Sequence, residues 1–496
     1  MRSGRVEFLA GNGFLLVILF LGLSGMVAYG FAFTAGGGDS ERYLIVAKNI
    51  YLHNCVSVSD PSTGECVPHW GGNQFPGYPL VLAAILAIAG GDLSTNTHDF
   101  AQAMVVVQAT ALVGTAILVG SAISRVTANP AAGKAATLIV ALSPLHIAWP
   151  RFILTEAISI ALTAWVLAEL IHAIRDGRWH LVRVGIVLAA AFFVRYDAVA
   201  LTICVALAVF IGVPIRRALL RGAVVALVFS LPIAVWTARN VMVGLSVMPM
   251  PDYGAGTHKA GGYYGWLATW TYDLYDGAAA AYPVANRRYS EIVVPTTIFR
   301  SPDEQLLTSD LLRRLGDHDG APFPDELDAA FAELATARRS AAPFFHFVML
   351  PLKRTLSMWL SPGASIGWNA EVGPDVRRQL AEATWIGKAE VVLSSPLSFA
   401  IKGGLTVYRL VVLVLLVAVL LGKLGSPPLR QLASIALAFA IVRTMLVTVL
   451  GHDDPRLSLP PYVFFQVIVA AALGELWYQR RRQTTINAAT SLDRRL

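Results

Sequence analysis

Charged side chains are scarce in this chain. Lysine, arginine, aspartate and glutamate together make up 14% of its 496 residues, against about 25% in a typical soluble protein. The deficit excludes an ordinary water-soluble fold. A hydrophobic share of 55% and a mean hydropathy of +0.59 point to lipid as the second solvent. Cysteine is rarer still, at three residues, too few for a disulfide-built scaffold. No internal repeat is found, so nothing supports the duplicated halves common in secondary transporters.

What the chain does have is a series of apolar runs, each near the roughly 20 residues that cross a bilayer as a helix. Spans are expected near 14–34, 76–91, 102–122, 131–149, 153–173, 184–194 with 197–213, 219–237, 343–360, 404–422, 431–450 and 460–478. The fold class that follows is an all-α polytopic membrane protein of about 11–13 transmembrane helices with α-rich extracytoplasmic loops. Residues 131–149, broken by Ser143-Pro144, are expected to form a half-span or a helix lying on the surface. Arg195-Tyr196-Asp197, midway through 184–213, should mark the tip between two short helices.

The net charge of +7 is not spread as a nucleic-acid surface would spread it. Arg175, Arg178 and Arg183 share one short connection and Arg216, Arg217 and Arg221 another, with Lys423 and Arg430 in a third. Arg480, Arg481 and Arg482 follow the last apolar run. Such clusters mark cytoplasmic ends. Residues 35–77 instead set Arg42 and Lys48 against Asp39, Glu41, Asp60 and Glu65, and residues 238–342 hold nine basic and thirteen acidic side chains. Both stretches are expected outside, and 174–183, 214–221 and 479–496 inside. Arg2 and Arg5 precede the run at 14–34, which is read as a retained first span because no small-residue cleavage site follows.

The organisation expected is an N-terminal transmembrane module, 1–237, with its outer loop 35–77; an ordered extracytoplasmic domain, 238–342; C-terminal helices, 343–478, with an outer segment 361–402; and a basic cytoplasmic tail, 479–496. Within the outer loop, Tyr43, Ala47, Ile50 and Tyr51 fall at helical spacing, so 40–52 is expected to be a helix resting its apolar face on lipid. Segments 302–316 and 324–340 open on acidic residues and end on Arg313-Arg314 and Arg338-Arg339, the charge order that a helix dipole favours. Cys55 and Cys66 share the outer loop, where an oxidising compartment permits a bridge.

Asp39 stands just beyond the first span, and its type suits either a helix cap or a reactive carboxylate. The order of motifs weighs on that choice. Asp39-Ser40 with Tyr43 and Ala47, then Phe75-Pro76-Gly77-Tyr78-Pro79, then Pro144 with Arg151-Phe152-Ile153-Leu154-Thr155-Glu156, then Trp236-Thr237-Ala238-Arg239-Asn240, then Arg456 with Pro460-Pro461 follow one another across residues 14–478. This series resembles the membrane glycosyltransferases of the GT-C class, closest to the branch of protein O-mannosyltransferases and lipid A aminoarabinose transferases.

The resemblance implies an acidic residue in the first outer loop that activates the acceptor, and a donor sugar carried on polyprenyl phosphate. It thereby implies Asp39 as the catalytic base. Arg239, His258, Lys259 and Arg456 are the outward cations suited to the donor phosphate. Glu41, Tyr43, Tyr78 and Glu156 are the substrate-binding candidates. Implied partners are the polyprenyl-phosphate sugar, an envelope lipid, glycan or protein acceptor, and the bilayer, with no nucleic acid. The site is expected on the extracytoplasmic face of the cell membrane.

No cofactor follows from the residues, and the family's strict acidic pair is absent. Asp39-x-Glu41 is the nearest alternative, which leaves a divalent metal open. His452-Asp453-Asp454 reads as a turn before Pro455 rather than a metal cluster. Arg195 and Asp197 read as a mutual structural pair. Two other classes compete: a secondary transporter, whose charges should sit mid-span, and a polysaccharide ligase or polymerase, which would release a diphosphate carrier.

Overall fold

The computed structural model describes residues 13–35, 38–67, 75–89, 97–176, 181–210, 213–245, 260–272, 274–361, 367–370, 385–449 and 454–493. The protein is an all-α polytopic membrane protein, and among the described residues no strand forms beyond one isolated bridge. The helices are α1 (Gly13–Ala32), α2 (Gly38–His53), α3 (Gly77–Ala89), α4 (Thr97–Thr127), α5 (Pro130–Leu142), α6 (Glu156–Asp176), α7 (Leu181–Val194), α8 (Leu201–Phe210) and α9 (Ile215–Met242). Then come α10 (Gly261–Leu267), α11 (Leu274–Ala285), α12 (Pro302–Gly316), α13 (Asp325–Ala341) and α14 (Leu350–Leu360). The chain closes with α15 (Trp385–Ser394), α16 (Pro396–Leu420), α17 (Pro427–Val449) and α18 (Leu459–Asp493).

Among the described residues, six of these helices are long and apolar enough to cross a membrane, namely α1, α4, α9, α16, α17 and α18. Shorter apolar helices accompany them, including α3, α5, α7 and the segment Tyr196–Phe210. Residues 343–360, expected to cross, are not among the candidates: Lys353 and Arg354 interrupt the run, and its regular α-helix is 11 residues long. The chain divides into two compact units. One comprises Met1–Pro249, Pro362–Val442 and Leu459–Leu496, the other Met250–Ser361 and Arg443–Ser458.

In the first unit α5 packs between α4 and α18. Gly120 and Gly133 let α4 and α5 approach closely, since a Cβ on Gly133 would stand 2.5 Å from the Gly120 carbonyl oxygen. The expected break at Ser143 is present, as the C-cap of α5. Of the two placements expected for it, a half-span or a helix on the surface, the second does not hold: Ala132, Ala136 and Val140 are fully buried, because small residues on this short helix fit between two long ones. α7 and α8 meet at a 3-10 turn over Tyr196–Ala200, which is the tip expected at Arg195-Tyr196-Asp197.

The second unit holds α10 to α14. Tyr263, Trp266, Tyr289, Phe323 and Phe331 form its aromatic core. Asp328 Oδ1 accepts from the Tyr263 amide at 2.9 Å and so satisfies a donor at the start of α10. Ser301 caps α12 by accepting from the Glu304 amide, with Asp303 and Glu304 in the first turn and Arg313 and Arg314 in the last. Helices were expected over 302–316 and 324–340, and both are found.

Candidate functional site

The start of α2 and the residues before it are tied to the distant stretch 150–153. Ala35 forms a parallel bridge with Phe152, its amide donating to the Arg151 carbonyl at 3.2 Å. Ser40, buried, donates through its hydroxyl to the Ile153 carbonyl at 3.0 Å. The 150–152 segment is itself held by Gln108 of α4, whose amide nitrogen donates to the Pro150 and Phe152 carbonyls at 3.1 and 2.9 Å. Arg151, also buried, donates to the Gly367 and Phe33 carbonyls and stacks on the Phe152 ring. Main-chain carbonyls and side-chain donors therefore tie residues 33–40 to 150–153.

The first turn of α2 presents two exposed carboxylates, Asp39 and Glu41. Asp39 lies inside the helix rather than at its cap, where the positive helix end stabilises its charge. One turn on, Tyr43 faces inward. The apolar side of α2 does not rest on lipid as expected: Val46 and Ala47 are fully buried, and α2 packs against α3. The Tyr43 and Tyr78 rings meet edge to face at 5.0 Å, an arrangement their quadrupoles favour.

Tyr78 is placed by the glycine before it. A Cβ at Gly77 would stand 2.5 Å from the Phe193 carbonyl oxygen, so only glycine lets α3 start against the end of α7. Phe75 reinforces that contact, its ring 4.9 Å from Phe192. The Phe75-Pro76-Gly77-Tyr78 motif is thus a docking device. It delivers a fully buried tyrosine whose hydroxyl has no hydrogen-bond partner among the described residues.

Behind the tyrosines lies an ionic group. Arg195 Nη1 is 2.9 Å from the Thr155 hydroxyl and 3.1 Å from Glu156 Oε1, and its Nε is 3.4 Å from Asp197 Oδ1. The pair with Asp197 was expected; the links to Thr155 and Glu156 were not. The mutual pair of Arg195 and Asp197 is present, and the same guanidinium bridges to a second buried carboxylate, Glu156. Burial pushes the Tyr43 phenol above its ordinary 10, against the pull of Arg195, while Glu156 and Asp39 push the same way as burial. Tyr43 is therefore a neutral hydroxyl at physiological pH. The signal for Arg195 in the sequence was its place inside an apolar run, where an ionisable residue marks a site.

The other candidates lie elsewhere. Arg239, in the last turn of α9, donates to Asn240 Oδ1 at 3.0 Å and the Val56 carbonyl at 3.4 Å, and stacks on Trp236. His258 and Lys259 lie outside the described residues. Arg456, expected as an open phosphate ligand, belongs to the second unit. Its Nε sits 2.5 Å from Asp454 Oδ2, since the turn at Asp454-Pro455 folds carboxylate and guanidinium together. His452 and Asp453 lie outside the described residues, and among those described no cluster of metal-ligating side chains is present. Cys55 and Cys66 are bridged, with Cα atoms 6.1 Å apart.

The first unit thus carries an exposed carboxylate one helical turn from a buried phenol pair, which backs onto a carboxylate held by arginine. Asp39 can accept a proton. Glu156 is tied to Arg195 at 3.1 Å. Comparison with known protein families, with characterised proteins and with solved structures finds no match for this chain.

Proposed function

We propose that this protein is a membrane glycosyltransferase of the GT-C kind, moving a sugar from a polyprenyl-phosphate donor to an acceptor hydroxyl at the extracytoplasmic face of the cell membrane. The observation that carries the reading is the convergence described above. The motif segments at Asp39–Tyr43, Phe75–Tyr78 and Arg151–Glu156 are far apart in sequence, yet they meet around Ser40 and Tyr43, within one helical turn of the exposed Asp39. Chance matches to three short patterns carry no reason to share a site.

In this reading Asp39 takes the proton of the acceptor hydroxyl while that oxygen attacks the anomeric carbon. The bond from that carbon to phosphate oxygen breaks, and polyprenyl phosphate leaves with the electron pair. A cation at the phosphate stabilises the charge that develops there, a role suited to Arg239 of the first unit. Glu41 is exposed beside Asp39 and would meet the substrate directly, with Tyr43, Tyr78 and Glu156 buried behind it as its support. The envelope lipid, glycan or protein that accepts the sugar is set by loops rather than by the scaffold.

The test is to delete the gene and compare envelope glycolipids, polysaccharides and glycoproteins by mass spectrometry. Loss of one sugar from one parent molecule is the expected result, naming donor and acceptor together. Unchanged glycans with altered uptake of a small solute would replace the transferase by a transporter.

A further inference from the structure

The segment from Phe344 through α14 carries two stripes at four-residue spacing, and their polarity is inverted. His346, Leu350, Arg354 and Met358 are buried in the second unit. Phe344, Val348, Leu352 and Leu356 are 68%, 47%, 48% and 52% exposed, and Phe347 adjoins them at 69%. A surface helix in water turns its apolar stripe inward and its charges outward. Here a guanidinium points inward: Arg354 donates to the carbonyls of Ala268, Thr271 and Thr448. Two phenylalanines, a valine and two leucines are left facing out.

We propose that this stripe lies in the interfacial layer of the lipid bilayer and anchors the second unit to the membrane. The proposal stands apart from the transferase reading. Several observations select lipid as the occupant. The chain already presents bare apolar side chains of the same kind on its spans, such as Leu227 at 68% and Val414 at 67%, so its surroundings include hydrocarbon. The helix is too short and too charged to cross, which leaves it in the membrane plane. Its border also has the chemistry of a headgroup region. Lys353, exposed, holds its ammonium over the Tyr272 and Phe345 rings at 5.0 and 5.4 Å, and Tyr272 is itself 45% exposed. A cation and aromatic rings beside an apolar stripe match the phosphate-bearing boundary of a bilayer. A π turn over Phe345–Met349 precedes Pro351, so the helix absorbs the proline while keeping both stripes.

The experiment uses the full chain, whose one free cysteine, Cys204, is buried. Val348→Cys and Leu352→Cys are made singly, spin-labelled and reconstituted into phosphatidylcholine vesicles containing phosphatidylglycerol. Both positions are exposed, so the label displaces no buried contact. Collision with oxygen, which concentrates in hydrocarbon, is compared with collision with a water-soluble nickel chelate. The expected result is a several-fold excess of oxygen collision at both positions, and the reverse for a label at Asp310→Cys, an exposed position on α12 paired with Arg313. Nickel collision dominating at 348 and 352 would place the stripe in water. Shielding from both reagents would place it against protein, such as a second copy. Either outcome overturns the proposal.

Discussion

Arg195 and Glu156 are joined by a 3.1 Å contact between the end of α7 and the start of α6, and the same arginine reaches Asp197. Both carboxylates are buried, with side chains 5% and 2% exposed. A buried ionic group gains little over an apolar core of the same shape. Removing one member is costly, because the rest is left charged and unsolvated.

Arg195→Met should therefore destabilise the protein by about 3–5 kcal/mol, leaving two carboxylates without their cation. Combining it with Glu156→Gln should cost less than the two single changes added together, since they share a contact. Denaturant unfolding in detergent measures both. A loss within about 0.5 kcal/mol for Arg195→Met would mean that the group is not held as described.

Asp39→Asn separates chemistry from folding. Asp39 is exposed and its amide analogue has the same shape, so stability should fall only by about 0.3–1 kcal/mol, the contribution of a charge at a helix N-terminus. Transfer from a polyprenyl-phosphate sugar should fall on the order of a hundredfold or more, because the amide accepts no proton. Near-normal turnover in protein that loses no more stability than this would leave Asp39 as only a helix-end charge.

Gly77→Ala tests the close approach at Phe193. A methyl group 2.5 Å from a carbonyl oxygen must displace α3 or α7, at about 1–3 kcal/mol. The displacement carries Tyr78 with it, so activity should drop along with the melting temperature. An alanine protein as stable as the parent would contradict the packing.

Thiol titration checks the outer loop. Of three cysteines, the unfolded but unreduced chain should expose one, Cys204, and the reduced chain all three. Three reactive thiols before reduction would remove the Cys55–Cys66 bridge.

The second unit should weaken in mild acid. Burial, with Arg300 and Arg338 nearby, pushes the His346 imidazole from its ordinary 6.5 to about 4. Between those values the unfolded chain binds a proton that the folded one refuses, so stability falls as pH drops from 6.5 towards 4 and levels off below. His346→Gln should flatten that part of the melting profile. A parent profile already flat across this range would show that the histidine is not held neutral.

Composition and periodicity alone determined much of this protein. Low charge with long apolar runs required an all-α membrane architecture, because in lipid each backbone group must be satisfied within its own helix. The helices at 302–316 and 324–340 were legible because capping and dipole effects act within one turn. Asp39, Tyr43, Tyr78 and Glu156 could be named one by one as candidates from short motifs.

Only the tertiary structure decided which of them meet. Gly77 has its reason in the Phe193 carbonyl, 116 positions later, and Arg195 has its reason in Glu156, on another helix. The face of α2 that periodicity assigned to lipid packs on α3, since an apolar stripe does not say whether protein or bilayer will cover it. The inverted stripe beside α14 makes the same point from the other side. A residue's pattern records how apolar its surroundings are, and which surroundings those are is settled by contacts between segments that the chain order keeps apart.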